Sequence, residues 1–185
     1  MNRIVSKRQF SANVYELIVE APLIAKSRRA GHFVIVRADE HGERIPLTIA
    51  DSDVKNGTIT LVVQSVGTSS GKICNKEVGE YLHDVVGPLG QATHIEKVGT
   101  VVCCGGGVGV APLLPIIRAM KATGNKVISV LAGRTKDLII LEDEVRASSD
   151  EVIIMTDDGS YGNKGLVTNG VENVLKREQV DMVVY

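Results

Sequence analysis

The sequence predicts a two-domain protein of the β + α/β class, an antiparallel β-barrel over residues 1–97 followed by a Rossmann-like parallel sheet over 98–185. Three observations carry that expectation. Up to about Lys97, short β-branched runs alternate with turn signals, the pattern of a small barrel or sandwich. From Gly99 the rhythm changes to strand–helix alternation, which builds an open parallel sheet. Where that second pattern begins, the apolar run Thr100 to Cys104 enters a glycine cluster and leaves through Pro112 into a helix-forming segment.

The barrel strands are expected at Val14–Glu20, Phe33–Arg37, Ile45–Ile49 and Thr58–Gln64, separated by Ala30-Gly31, His41-Gly42 and Asn56-Gly57. In the second half, strands are expected at Val101–Cys104, Lys126–Leu131, Val152–Met155 and Val180–Tyr185. Helices follow the first three, one running through Met120, one around Leu138–Arg146 and one around Val171–Arg177. The last strand runs to the final residue, so the sequence is expected to be truncated at its C-terminus, because a parallel strand usually delivers a ligand loop at its carboxyl end.

Composition excludes several functions. The 185 residues are 44% hydrophobic and 23% charged with a net charge of -1, an ordinary globular balance. Four Tyr, two Phe and no Trp leave little base-stacking surface, and no basic excess tracks phosphates, so no nucleic-acid partner is expected. No segment approaches the ~20 apolar residues of a membrane span, so no membrane association and a cytoplasmic location are expected. Cys74, Cys103 and Cys104 lack the spacing of a disulfide framework or metal site. Adjacent Cys103 and Cys104 would point to opposite faces of their strand as small buried hydrophobes. His32, His41, His83 and His94 are scattered without ligand spacing, so no metal site is expected.

The glycine cluster is the first candidate site. Gly105, Gly106, Gly107, Val108 and Gly109 would let backbone N–H groups approach a pyrophosphate at a helix start, where unpaired donors and a partial positive charge attract anions. The spacing gives Gly105-x-Gly107 without the rest of a dinucleotide fingerprint, since Ala111 and Pro112 stand where that motif opens its helix. A plain connection between strand and helix fits the same residues.

Barrel, α/β layer and the run Arg44-Ile45-Pro46-Leu47-Thr48 together resemble the ferredoxin-NADP reductase superfamily. That resemblance implies FAD along this strand, with Arg44 on the pyrophosphate as a forked cation, Pro46, Leu47 and Thr48 along the ring and ribityl chain, and Ile45 among the cofactor-binding residues. On its own residues, Arg44 also reads as a surface cation at a strand edge. Gly67, Thr68, Ser69 and Ser70 resemble the family's second FAD phosphate site, and equally suit a serine N-cap. Leu61, Val62 and Val63 would back the flavin, and Gly87-Pro88-Leu89-Gly90 resembles the loop between the family's two domains.

Within the superfamily the chain is more closely similar to the electron-transfer subunit of bacterial dihydroorotate dehydrogenase, and to the small subunits of sulfide dehydrogenase and of NADH-dependent reduced ferredoxin:NADP oxidoreductase. The segments Glu43–Ile49, Gly105–Pro112 and Thr156–Gly165 carry this. It implies an oxidoreductase subunit that moves electrons between NAD(H) and a larger catalytic subunit through FAD, with ferredoxin as a further candidate partner. The cofactors carry the chemistry, so no catalytic acid, base or nucleophile is expected. Relatives of this kind continue into a cysteine cluster holding a [2Fe-2S] centre, for which this sequence has no ligands. A stand-alone NADPH-dependent flavin or ferredoxin reductase is the alternative within the class, and a non-catalytic nucleotide-binding module the alternative outside it. Asp157 and Asp158 would repel a 2′-phosphate and accept a bond from a free 2′-hydroxyl, which favours NADH. Arg134 and Lys136 oppose that preference, and an Asp-Gly turn explains the aspartates as well.

Overall fold

A computed structural model describes residues 1–185, which divide into two compact units, Met1–Thr93 and His94–Tyr185. The first unit is one seven-stranded antiparallel sheet: β1 (Asn2–Ser11), β2 (Val14–Glu20), β3 (Phe33–Arg37), β4 (Arg44–Asp53), β5 (Thr58–Gln64), β6 (Tyr81–Leu82) and β7 (Asp84–Leu89), in the order β6-β1-β2-β5-β4-β3-β7. Its two edge strands are separated in the chain by His83 alone, whose N–H donates to Arg37. A sheet whose outer strands are joined so closely curls into a nearly closed barrel. Alternate residues fill it: Ile4, Leu17, Val19, Val34, Val36, Ile49, Ile59, Leu61, Val63 and Leu82 form one buried cluster. Two short helices attach, α1 (Pro22–Ser27) and α2 (Thr68–Cys74), the latter adding Ile73 and Cys74 to the core.

The second unit is a five-stranded parallel sheet in the order β11-β10-β9-β8-β12, formed by β8 (Thr100–Gly106), β9 (Lys126–Gly133), β10 (Glu151–Thr156), β11 (Asn163–Lys164) and β12 (Met182–Val184). Helix α3 (Val110–Ala122) connects β8 to β9, α4 (Glu142–Arg146) precedes β10, and α5 (Val167–Leu175) leads to β12. Val102, Cys104, Ile128, Val130 and Met155 pack with Val174 of α5. Strand order reverses at β8, whose neighbours are β9 and β12, and ligands bind parallel sheets at such a switch point.

Several expectations need correction. Strand β1 carries only one fully buried residue, Ile4, among polar neighbours, so its hydrophobic alternation is faint. It is tied to β2 instead by Arg3–Glu20 and Arg8–Glu16 pairs. Helix α1 opens on Pro22, where a missing N–H costs nothing. Gly87, Pro88 and Leu89 are not a loop between domains but the end of β7, with Leu89 opposite Phe33. The single helix expected over Leu138–Arg146 is a 3-10 turn at Lys136–Leu138 and the short α4, divided because Leu141 adopts a left-handed φ of 56°. The units divide between Thr93 and His94 rather than at Lys97. Thr93 N–H donates to Ala30 in the barrel, whereas Asn125 binds Glu96, Val98 and Gly99 into the second unit.

Candidate functional site

The ten residues of β4 change partners midway. Arg44–Thr48 pair with β3, while Ile49 and Asp51–Asp53 pair with β5, with an irregularity between Ile49 and Asp51. Strands β4 and β5 therefore part beyond the Ile49–Leu61 pair. The edges of residues 44–48 and 62–64 lack a ladder partner there. A gap of this kind in a barrel wall presents backbone donors and acceptors that a ligand can meet.

Strand periodicity sorts the motif on β4. Arg44, Pro46 and Thr48 share the outer face, with Arg44 and Pro46 exposed. Ile45 and Leu47 turn inward and pack, partly buried, on the barrel core. On β5, Leu61 and Val63 are core residues and Val62 is buried on the opposite face.

Charge gathers around Arg44. Its Nη2 donates to Asp84 Oδ2 at 3.0 Å, and Arg37 Nε lies 2.8 Å from the same oxygen as an ion-pair contact without hydrogen-bond alignment. Two guanidiniums share this one carboxylate, and the Glu43 carboxylate next in the chain to Arg44 balances the remaining charge. Helix α2 is fixed beside them: Ser69 Oγ donates to Glu43 Oε2 at 2.6 Å, and Lys72 Nζ pairs with Asp39 at 2.9 Å. That bond from Lys72 holds the Asp39 carboxyl below its usual range. Ser70 Oγ accepts from the N–H groups of Val66 and Gly67, serving as the cap, while Thr68 is exposed. The structure thus brings Arg44, Ser69 and the start of α2 to one end of β4.

In the second unit the turn splits by role. A Cβ on Gly105 would lie 2.4 Å from Leu113 Cδ1, and one on Gly106 3.2 Å from the carbonyl oxygen of Ala132, so these two glycines allow close packing. Gly107, at φ +54°, and Gly109 face open space, with Val108 between them in a 3-10 turn that feeds α3. Those are the positions that admit a ligand against the backbone. Gly106 stands opposite Ala132, and Gly133 opposite Thr156, so the ends of β8, β9 and β10 form one rim.

Asp157 and Asp158 follow on that rim. Asp158 Oδ1 accepts from Ser160 N–H, and the Ser160 bonds hold its carboxyl below the usual range. Asp157 is exposed and its carboxylate has no partner, as is true of Arg134. Lys136 is engaged: its N–H donates to Ser160 Oγ and its Nζ lies 5.3 Å from the centre of the Tyr161 ring. Tyr161 also donates to Glu142, and Thr156 Oγ1 donates to the Tyr161 carbonyl. Sequence reading missed Tyr161 as an anchor of this loop, although a lone aromatic beside Gly159 and Gly162 was its visible signal.

All three cysteines are free and buried, and burial raises each thiol, Cys103 to about 12 with Cys104 adding to the effect. No group of three or more His, Cys, Asp or Glu side chains is placed to hold a metal ion. No helix is long and apolar enough to cross a membrane.

Comparison with known proteins places the chain. It is 42% identical to the dihydroorotate dehydrogenase B (NAD(+)) electron transfer subunit homolog of Thermotoga maritima, over 98% of this chain and 64% of that protein. It is 33% identical to the electron transfer subunit of dihydroorotate dehydrogenase B (NAD(+)) from Geobacillus thermodenitrificans, over 91% of this chain and 67% of the relative. The chain belongs to the family of dihydroorotate dehydrogenase B electron-transfer subunits. It spans about two-thirds of the length of these family members. Among solved structures, that of an NADH-dependent reduced ferredoxin-NADP oxidoreductase superposes with a TM-score of 0.94 at 38% identity, over 99% of this chain and 66% of that one. The cytochrome b5 reductase domain of Ulva prolifera nitrate reductase, at 18% identity and a TM-score of 0.72, shares the two-domain fold. No family model matches the chain.

Proposed function

We propose that this chain is an FAD- and NAD(H)-binding electron-transfer module that works in the cytoplasm with a larger catalytic subunit, ferredoxin being a further candidate partner. The observation that carries the flavin reading is the convergence of Arg44, Pro46 and Thr48 on the outer face of β4, at the gap beside β5, with the start of α2 fixed next to them. Arg44 would bind the diphosphate, with Gly67, Thr68, Ser69 and Ser70 adding backbone and hydroxyl donors. Pro46, Thr48 and the unpaired edges would receive the ring system, and Leu61, Val62 and Val63 would support it from within the wall.

On the second unit, Gly107, Val108 and Gly109 would take the dinucleotide at the switch point. The free carboxylate of Asp157 would accept a ribose hydroxyl and oppose a 2′-phosphate, so NADH is the preferred reductant. The bound cofactors supply hydride transfer from nicotinamide to flavin N5 and release of electrons singly; the chain supplies binding, orientation and charge.

Arg44→Ala tests this reading. Removing a charge-assisted phosphate contact costs on the order of 2 kcal/mol, a loss of about tenfold or more in FAD affinity, in a barrel that stays folded. Equal FAD retention by variant and parent removes Arg44 from the site.

A further inference from the structure

We infer that Asp84 is the positioning residue for Arg44, an assignment that rests on the flavin reading above. Arg37 and Arg44 are direct cross-strand partners on β3 and β4, and Asp84 on β7 is the partner of Arg37 on its other side. Like charges placed directly opposite each other repel. The Asp84 carboxylate resolves this by meeting both guanidiniums at one oxygen, 2.8 Å from Arg37 Nε and 3.0 Å from Arg44 Nη2.

The three side chains are not equally free. Arg37 and Asp84 are 18% and 27% exposed and Arg44 is 57% exposed. The first two form the fixed part, and Arg44 is the arm that reaches the surface. Without the carboxylate, repulsion from Arg37 turns the Arg44 head into solvent, and a diphosphate must then fix a long flexible side chain as well as bind it. With it, one corner of the guanidinium is held while the exposed side chain keeps its remaining N–H donors for a ligand. Asp84 has an opposite electrostatic effect too, since its negative charge lies close to an anion. The net direction is therefore the decisive measurement, and the exposure pattern assigns it to positioning.

A double-mutant cycle reads that direction. FAD dissociation constants are measured by visible titration for the parent, Asp84→Asn, Arg44→Ala and the double variant, with a thermal melt of each. Asp84→Asn should weaken FAD by roughly threefold to tenfold, and in the Arg44→Ala background it should cause no further loss, because the positioning effect acts only through Arg44. Asp84→Glu, which keeps the charge, should recover part of the loss. Should Asp84→Asn fail to fold, Asp84→Ser takes its place in the cycle. Unchanged or tighter binding by the Asp84 variant, or a loss equal in both backgrounds, overturns the inference while leaving Arg44 in the site. A parent that takes up no FAD, or an Arg44→Ala variant that retains it fully, overturns the flavin reading instead.

Discussion

Asp157 and Asp158 are adjacent, share a side-chain type and do different work. Asp158 shapes the turn through Ser160, while Asp157 is free at the rim. Asp157→Ser should therefore lower the preference for NADH over NADPH by about tenfold, the worth of one hydrogen bond to a charged group. Asp158→Asn, which keeps an acceptor for Ser160, should leave it near the parental value. Relative rates of flavin reduction by the two nucleotides measure this, and an unchanged preference in Asp157→Ser contradicts the assignment. The thiols give a second residue-scale test. Burial disfavours the thiolates, so the native chain should react with a thiol reagent at neutral pH far more slowly than the denatured one. Rapid native modification of Cys103 would contradict its burial. At this scale the sequence shows residue type and not orientation. Ile45 and Leu47 stand in the motif beside Arg44, yet the two-residue period of the strand sends them to the core.

Element-scale features were legible where periodicity was strong. The strands Val14–Glu20, Phe33–Arg37 and Thr58–Gln64 lie where alternation places them, and α3 follows the glycine turn. The change of partner along β4 was not legible, because pairing is a relation between distant segments and leaves no local mark. The same holds for β11, two exposed residues that pair with β10 only because the loop before them folds back. That loop depends on Gly162, at φ +65°, where a Cβ would meet the Ile154 carbonyl oxygen at 2.5 Å. Backbone cannot yield as a flexible side chain does, so Gly162→Ala should destabilise the second unit by roughly 1–3 kcal/mol. A thermal or denaturant midpoint measures it, and a parental midpoint would show that the loop is arranged differently.

For the molecule as a whole, the fold class was readable because two hydrophobic periods occupy two halves of the chain. The boundary was less so, since Asn125 captures Glu96, Val98 and Gly99 from a distance in sequence. Stability should respond to acid in both units. Asp39, Asp53, Asp150, Asp158 and Glu178 are held below their ordinary values by bonds from Lys72, Asn56, Lys121, Ser160 and Lys126 respectively. Carboxyls depressed by folding contribute stability above their unfolded values of about 4, and lose it as pH falls through the folded ones. The thermal midpoint should vary little with these groups from pH 7 to 5 and fall below about pH 4. A midpoint that rises there contradicts these pairings.

Flavin binding and its reduction by NADH are both read from the visible absorption spectrum of the FAD-loaded chain before and after anaerobic addition of NADH. The chain should show a stoichiometric flavin spectrum that bleaches on adding NADH; a folded chain that takes up no flavin, or a bound flavin that NADH leaves oxidised, would rule out the proposed function.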